Sequence, residues 1–558
     1  MKTSCLIILI RDGEPPLIKG WIPFIGKALE FGRDAQKFLE EHKKKFGDIF
    51  TVQIAGKYMT FIMDPRLYPN VIKHGRQLDF HEFANKVAPI TFGYPPVINR
   101  KFPGLKEQIS RSFQFLQGDN LTSLTDSMMG NLMLVFRQDH LDEKPSRGGW
   151  KTSNMYDFCN SVMFEATFLT IYGKPASTSR HSGMAMLRED FVRFDNMFPL
   201  LIAQIPIWLL GQTRTIRKKL INYFLPHRMS CWSNGSKFIR WRSELLQQYD
   251  TMRDVDRAEI NLSLVPMDYR NLKQVFIKEQ ASSLPPHRPY AGAIDLLYGS
   301  TLPSSKLYNP SKPEKEVVET YIVDSLATGP PLAHHFAILW ASVGNTVPAS
   351  FWAMYYLVSH PEALEVVRQE IFDVLKLSGA EFSSNKDVKL SREQLEKLLY
   401  LESAINESLR LSSASMNIRV AQEDFSLRLD SERSVAVRRG DIIALYPQSM
   451  HMDPEIYEEP ETFRFDRYIQ DGREKTDFYK EGQKLRYYHM PFGSGSSMCP
   501  GRYFAINEIK QFLCLLLLYF DLQLEEGQPR VNVDYSRAGL GILLPASDVR
   551  FRYRLRRV

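Results

Sequence analysis

Pro491-Phe492-Gly493-Ser494-Gly495-Ser496-Ser497-Met498-Cys499-Pro500-Gly501 is the stretch on which the reading of this chain turns. Glycines at 493 and 495 let the backbone turn tightly and approach a flat ligand closely. Proline suits the first position of a helix, so the stretch predicts a helix opening near Pro500 with Cys499 at its mouth. The partial positive charge at a helix N-terminus favours a thiolate. A thiolate on a rigid Gly-rich loop is what the proximal ligand of a haem iron requires. The plainer alternative is a Gly-rich turn with an inert core cysteine.

Two charged sets lie upstream. Glu407 and Arg410, in ESLR, stand three apart on one helical face. Pro460-Glu-Thr-Phe463-Arg-Phe-Asp-Arg467 brings a second arginine near an aromatic. Taken singly, each reads as a surface ion pair. Helical periodicity runs through Ala333–Ser359, Pro361–Leu377 and Ser391–Leu411, and residues 501–519 form a final apolar helix. Phe194–Leu210 is apolar and helical in character. Residues 49–63 read as a hairpin around Ala55-Gly56-Lys57, 418–446 return to strands, and VRFRYRLRRV alternates as a half-exposed strand. The fold class is therefore mainly α with small β-sheets.

Composition removes several classes. Of 558 residues, 44% are apolar, 24% charged and 12% aromatic, which excludes a disordered chain, a collagen-like chain and a disulfide scaffold. Lys+Arg 71 against Asp+Glu 64 gives +7, too mild for a nucleic-acid partner. Five cysteines without a CxxC pair exclude zinc ribbons and redox pairs. The apolar run Cys5–Ile10 is too short for a membrane span or a signal peptide. Residues 1–13 are accordingly expected to be a truncated or missing anchor region, and 14–558 a single domain. From about 259 to 331 the chain is proline-rich, with Pro285-Pro286 and Pro330-Pro331 breaking any helical pattern. A structureless segment that long inside a compact domain is unusual, so it is expected to be an insertion, or non-coding sequence translated into the chain.

In this order and spacing, ExxR, PxxFxxxR and FGxGxxxCxG resemble the cytochrome P-450 family of haem-thiolate monooxygenases. The resemblance implies the fold of that family, with haem b between a long distal helix and the cysteine loop. It gives Cys499 the role of axial iron ligand and places Phe492, Gly493, Gly495 and Gly501 around the cofactor. Glu407, Arg410 and Arg467 take the part of a structural lock. The family often has Arg or His where this chain has Ser497, so Arg419 is the candidate to meet the haem carboxylates.

The family's distal acid–alcohol pair is replaced here. The matching stretch is Ala341-Ser342-Val343-Gly344-Asn345-Thr346, followed by Pro348. Proline has no amide proton and clashes with the carbonyl four residues earlier, so the helix is expected to open at Gly344 and leave that carbonyl as an acceptor beside Asn345. Gly344, Asn345 and Thr346 are the catalytic candidates; a bare kink is the alternative. WASxxNTxPAxFW, SSASMNIR and SRAGLGIL resemble the cholesterol and oxysterol 7α-hydroxylase group, with sterol 12α-hydroxylases and prostacyclin synthases as near relatives. That implies a sterol substrate lined by Ile338, Trp340, Ala414, Met416 and Leu540. It also implies electrons from NADPH through NADPH–cytochrome P-450 reductase, and a place on the cytosolic face of the endoplasmic reticulum membrane. A haem-thiolate isomerase and a non-catalytic haem or sterol binder are the competing classes.

Overall fold

The computed structural model describes residues 13–22, 26–94, 104–141, 149–175, 180–251, 330–379, 382–383 and 386–556. Its core is a set of helices apolar on nearly every face: Gly118–Phe136, Met155–Ile171, Thr346–Ser359 and Arg502–Tyr519. A helix apolar all round belongs in a core, and these four pack against one another. Phe512, Leu513, Leu515, Leu516 and Leu518 on the last helix are fully buried.

The hairpin forms as its sequence predicts, with Ile49–Ile54 pairing antiparallel to Lys57–Ile62. Ala55 (φ 48°) and Gly56 (φ 74°) make the two-residue turn, whose left-handed backbone matches the twist of the strands. Lys57 belongs to the second strand. The hairpin sits in a six-stranded sheet whose order is Leu17–Ile18, Ile49–Ile54, Lys57–Ile62, Ile442–Leu445, Asn417–Ala421, Leu78–Asp79. The C-terminal strand Arg550–Leu555 buries Phe551 and Tyr553 and lies between Phe520–Leu524 and Lys151–Asn154.

Several boundaries differ from expectation, each for a local reason. Ala333–Ser359 is two helices, Pro330–Val343 and Thr346–Ser359, parted at Gly344-Asn345 by Pro348. The helix already starts at Pro330, so Pro330-Pro331 open it; amides of a first turn have no intrahelical partner, and proline is tolerated there. The rest of the 259–331 stretch lies outside the described residues, as do residues 1–12. Phe194–Leu210 divides between Arg180–Asn196, Phe198–Ile202 and a short turn at Ile207–Leu209, with Pro199 and Pro206 setting the breaks. Ser391–Leu411 divides into Arg392–Glu396, begun by a Ser391/Gln394 capping box, and Leu399–Ser412. The final helix starts at Arg502 with Gly501 as its cap, two residues beyond Pro500. Pro361–Leu377 is helical over its whole predicted length.

Candidate active site

Cys499 ends a tightly closed loop. Its amide donates to the Phe492 carbonyl at 2.9 Å, Met498 N–H to Gly495 O at 3.2 Å, and Gly493 N–H to Met490 O at 3.2 Å. Gly493 (φ 77°) and Gly495 (φ 60°) hold left-handed backbone. A Cβ on Gly495 would fall 2.7 Å from Ile72 Cγ2, so only glycine fits there. Burial pushes the Cys499 thiol up, while the Gly501 and Arg502 amides and the Arg502 charge favour the thiolate. A metal ion overrides that burial, since a coordinating thiol is deprotonated outright. Cys499 is a lone sulfur donor: no group of three or more His, Cys, Asp or Glu gathers among the described residues. An iron held here by Cys499 would need a cofactor, rather than the protein, to supply its remaining ligands.

The loop is fastened to the sheet. Ser494 Oγ lies 3.0 Å from Asn417 Oδ1, and Arg419 Nη2 donates to Ser494 O at 2.9 Å. Arg419 is 5% exposed, its other bond goes to the Ile418 carbonyl, and it has no ion-pair partner among the described residues. Burial pulls its guanidinium down, with Asp79 opposing. A buried cation lacking a counter-charge beside the cysteine loop suits the carboxylate edge of a porphyrin.

Behind the loop stands the predicted lock. Arg410 Nε and Nη2 each reach a Glu407 oxygen at 2.8 Å, and Arg467 Nε reaches Oε1 at 2.8 Å. Arg464 N–H adds a fourth donor at 3.2 Å. Glu407 and Arg410 are fully buried and Arg467 nearly so, so this is no surface pair. Arg410 Nη1 also holds the His451 carbonyl at 2.6 Å, and Arg467 holds those of Glu458 and Thr462 at 2.6 and 2.9 Å.

On the distal side, Ala337, Ile338, Ala341, Ser342 and Asn345 are accessible, while Phe336, Leu339 and Val343 are buried. These accessible positions share one helical face. Facing it, Ala414 and Met416 exchange backbone bonds with Gly539 and Gly541, with Leu540 between them. Asn345 Oδ1 accepts the Ile542 amide at 3.1 Å, and a Cβ on Gly541 (φ 133°) would fall 2.3 Å from that oxygen. The acceptor of Asn345 is thus spent on the structure, and its amide donor bonds nothing among the described residues. The Gly344 carbonyl opened by Pro348 is not free: Arg537 Nη2 lies 3.5 Å away. Arg537 is paired in turn with Asp195, which accepts Trp340 Nε1 at 2.8 Å. Trp340 stacks on Phe198 at 3.9 Å.

Thr346 is placed elsewhere. Its hydroxyl meets Glu508, which also accepts Thr167 Oγ1 at 2.9 Å. Glu508 is fully buried and burial holds its carboxyl up at about 8, against the pull of Thr167 and Thr346. The structure therefore brings Asn345, Met416 and Leu540 together on the distal side, with Gly344 behind them and Thr346 on the opposite flank; of the expected lining residues, Ala414 is fully buried beneath that surface and Trp340 is packed away against Phe198 and Asp195.

The cytochrome P450 family model matches residues 15–235 and 326–551. The chain belongs to the cytochrome P450 family. It is similar to the cholesterol 7-alpha-monooxygenase of Cricetulus griseus, 36% identical over 568 residues covering 100% of this chain and 97% of the relative. The 25-hydroxycholesterol 7-alpha-hydroxylase of Rattus norvegicus is 36% identical over 487 residues, 87% of this chain and 98% of the relative. The 7-alpha-hydroxycholest-4-en-3-one 12-alpha-hydroxylase of Homo sapiens is 33% identical over 558 residues, 98% of this chain and 94% of the relative. This P450 is a haem-thiolate oxidoreductase, and the closed cysteine loop, the lone sulfur and the Arg419 cation fit that cofactor. Sequence reasoning missed Asp195, Arg537 and Glu508. Glu508-x-Lys510-Gln511 inside an otherwise apolar helix was a signal available for one of them; Arg537 lay inside the SRAGLG motif without anything to single it out.

Proposed function

We propose that this P450 is a sterol 7α-hydroxylase acting on cholesterol or an oxysterol. The observation that carries the reading is the opened distal helix, where Gly344 and Asn345 stand in place of an acid and an alcohol and Asn345 is fastened to the Gly539–Ile542 segment that carries Leu540. When bound, a thiolate-ligated haem supplies the oxidising power that attacks an unactivated C–H bond. In balance, the sterol C–H, O2, NADPH and a proton give the sterol alcohol, water and NADP+.

The chain's own residues supply orientation and dryness. Ile338, Met416 and Leu540 offer an apolar wall with few polar groups, backed by the fully buried Ala414, which suits a rigid sterol. Asn345 offers one amide donor, fixed by its bond to Ile542. Glu407, Arg410 and Arg467 tie the Leu399–Ser412 helix to the 458–467 segment, and Arg410 holds the carbonyl of His451, whose ring accepts the Met490 amide just ahead of the cysteine loop. Electrons come through NADPH–cytochrome P-450 reductase docking on the Cys499 side, on the cytosolic face of the endoplasmic reticulum. No helix among the described residues is long and apolar enough to cross a membrane. Trp21 and Trp208 are exposed by 82% and 50%, and tryptophan favours the membrane–water boundary, which supports contact with a membrane surface.

The test is turnover of a sterol panel with reductase and NADPH, on protein quantified by its reduced CO spectrum. 7α-Hydroxylated product from cholesterol or an oxysterol supports the reading. Product at carbon 12 alone, or consumption of an endoperoxide without NADPH, overturns it in favour of the 12α-hydroxylase or isomerase class.

A further inference from the structure

Among the described residues, Arg242 is a buried cation without a counter-ion. It lies on the helix Lys237–Thr251 and is 4% exposed. Among the described residues its side chain makes one hydrogen bond, from Nη1 to Ser112 Oγ at 3.1 Å, and Nε has no partner. The Phe113 and Phe238 rings lie 5.7 and 5.9 Å away. They cover the guanidinium but bring no negative charge. A cation taken out of water costs free energy unless something pairs with it, and here nothing among the described residues does.

The surroundings are polar and neutral. His335 Nε2 lies 2.9 Å from Ser243 Oγ, and its Nδ1 is buried without a partner. Burial and the neighbouring Arg242 charge hold both His334 and His335 neutral, His335 down at about 3. Arg242 itself is pulled down only to about 10 and keeps its charge at pH 7. The cluster therefore carries one positive charge and two open buried polar atoms.

Its place in the fold is telling. His334, Ile338, Ala341 and Asn345 follow one another on one face of the distal helix, so the cluster stands at the far end of the accessible face. Tyr94 stacks on His334 at 4.0 Å, and its neighbour Phe92 packs on Trp340 at 5.7 Å, so the segment that covers the cluster is packed against the same helix that leads to Asn345. From His334 to Gly344 is ten residues, roughly 15 Å along a helix. That span matches a sterol measured from its B ring to the end of an extended side chain.

We propose that Arg242, with His334 and His335 beside it, is the recognition site for a carboxylate at the end of a sterol's side chain, and so selects side-chain acids among the sterols this enzyme oxidises. The proposal rests on the sterol reading above. A carboxylate would accept two N–H donors from the guanidinium in a geometry that a hydroxyl or a methyl group does not satisfy.

The test uses the haem-loaded enzyme, its Arg242→Met and Arg242→Lys variants, a sterol with a terminal side-chain carboxylate, and the methyl ester of that acid. Equilibrium binding is read from the haem absorbance shift, and thermal midpoints are taken without ligand. The wild type should bind the acid about tenfold or more tightly than the ester. Arg242→Met should abolish that ratio with ester affinity unchanged and without a lower midpoint, because it removes a buried unpaired charge. Arg242→Lys should retain part of the preference. A wild-type ratio near one overturns the proposal, and this arm stands even where the Met variant fails to fold. Equal weakening of acid and ester in both variants, with lowered midpoints, also overturns it and makes Arg242 a packing residue. Ester binding and turnover without acid preference removes this proposal alone, whereas failure of the wild type to bind either sterol removes the sterol reading as well.

Discussion

Replacing Arg410 by alanine removes three bonds at once: two at 2.8 Å to Glu407 and one at 2.6 Å to the His451 carbonyl. Glu407 keeps Arg467 Nε and Arg464 N–H, so half of its four donors survive. Breaking a buried pair by deleting one partner costs about 3–5 kcal/mol, and stranding a buried carbonyl adds about 1–3 kcal/mol. Because Arg467 still faces the carboxylate, the first figure is expected near its lower end, giving about 4–6 kcal/mol together. Domain stability is about 5–15 kcal/mol, so Arg410→Ala should yield little haem-loaded protein. Arg410→Lys keeps the charge but loses the two-pronged geometry, and should fall between wild type and alanine. Urea unfolding followed by circular dichroism, together with haem content per polypeptide, measures both effects. Full haem content and an unchanged urea midpoint in Arg410→Ala would refute the reasoning.

Three further outcomes are expected. Cys499→Ser should lose the red-shifted reduced CO band and all turnover, since a neutral hydroxyl is a poor axial ligand; a variant keeping the band would show that another group binds iron. Asn345→Ala removes the side-chain acceptor of the Ile542 amide along with the distal donor; hydroxysterol formed per NADPH consumed should drop, and an unchanged ratio with lower stability would reduce Asn345 to a fastener. Glu508 is held at about 8 against an ordinary 4.5, so the native state keeps a proton that the unfolded chain releases above about pH 4.5. Stability from this group therefore falls as pH rises from about 4.5 to about 8 and levels off beyond, by as much as about 5 kcal/mol. Glu508→Gln should lack that fall, and parallel stability–pH curves for the two proteins would contradict it.

The proximal half of the site was legible because its chemistry is local in sequence. The glycines at 493 and 495 are demanded by positive φ and by Ile72, and Glu407 and Arg410 are held in register by one helix. The distal break was legible too, since Pro348 alone dictates where the helix opens. What closes the break was not. Arg537 meets Asp195 across 342 residues and the Ile542 amide meets Asn345 across 197, and no spacing rule announces either pairing. Thr346 shows the same limit: its position beside Asn345 suggested a shared task, but successive residues on a helix point about 100° apart, and its hydroxyl turns to Glu508. Arg242 gave no sign in sequence, because a lone arginine in an amphipathic helix is ordinarily solvated.

The four donors that meet Glu407 also set an order of assembly. Arg410 lies three residues away and arrives with its own helix, whereas Arg464 N–H and Arg467 Nε come from 57 and 60 residues downstream. The Ser494 anchors to Arg419 and Asn417 span 75 and 77 residues. Contacts of such separation form only after the intervening loops close, and that closure is slow. During synthesis the carboxylate therefore waits, half satisfied, until the 458–467 segment has emerged and turned back. The cysteine loop can be cradled only afterwards, which makes cofactor capture one of the last events in the maturation of this chain and the step most exposed to any delay in chain closure.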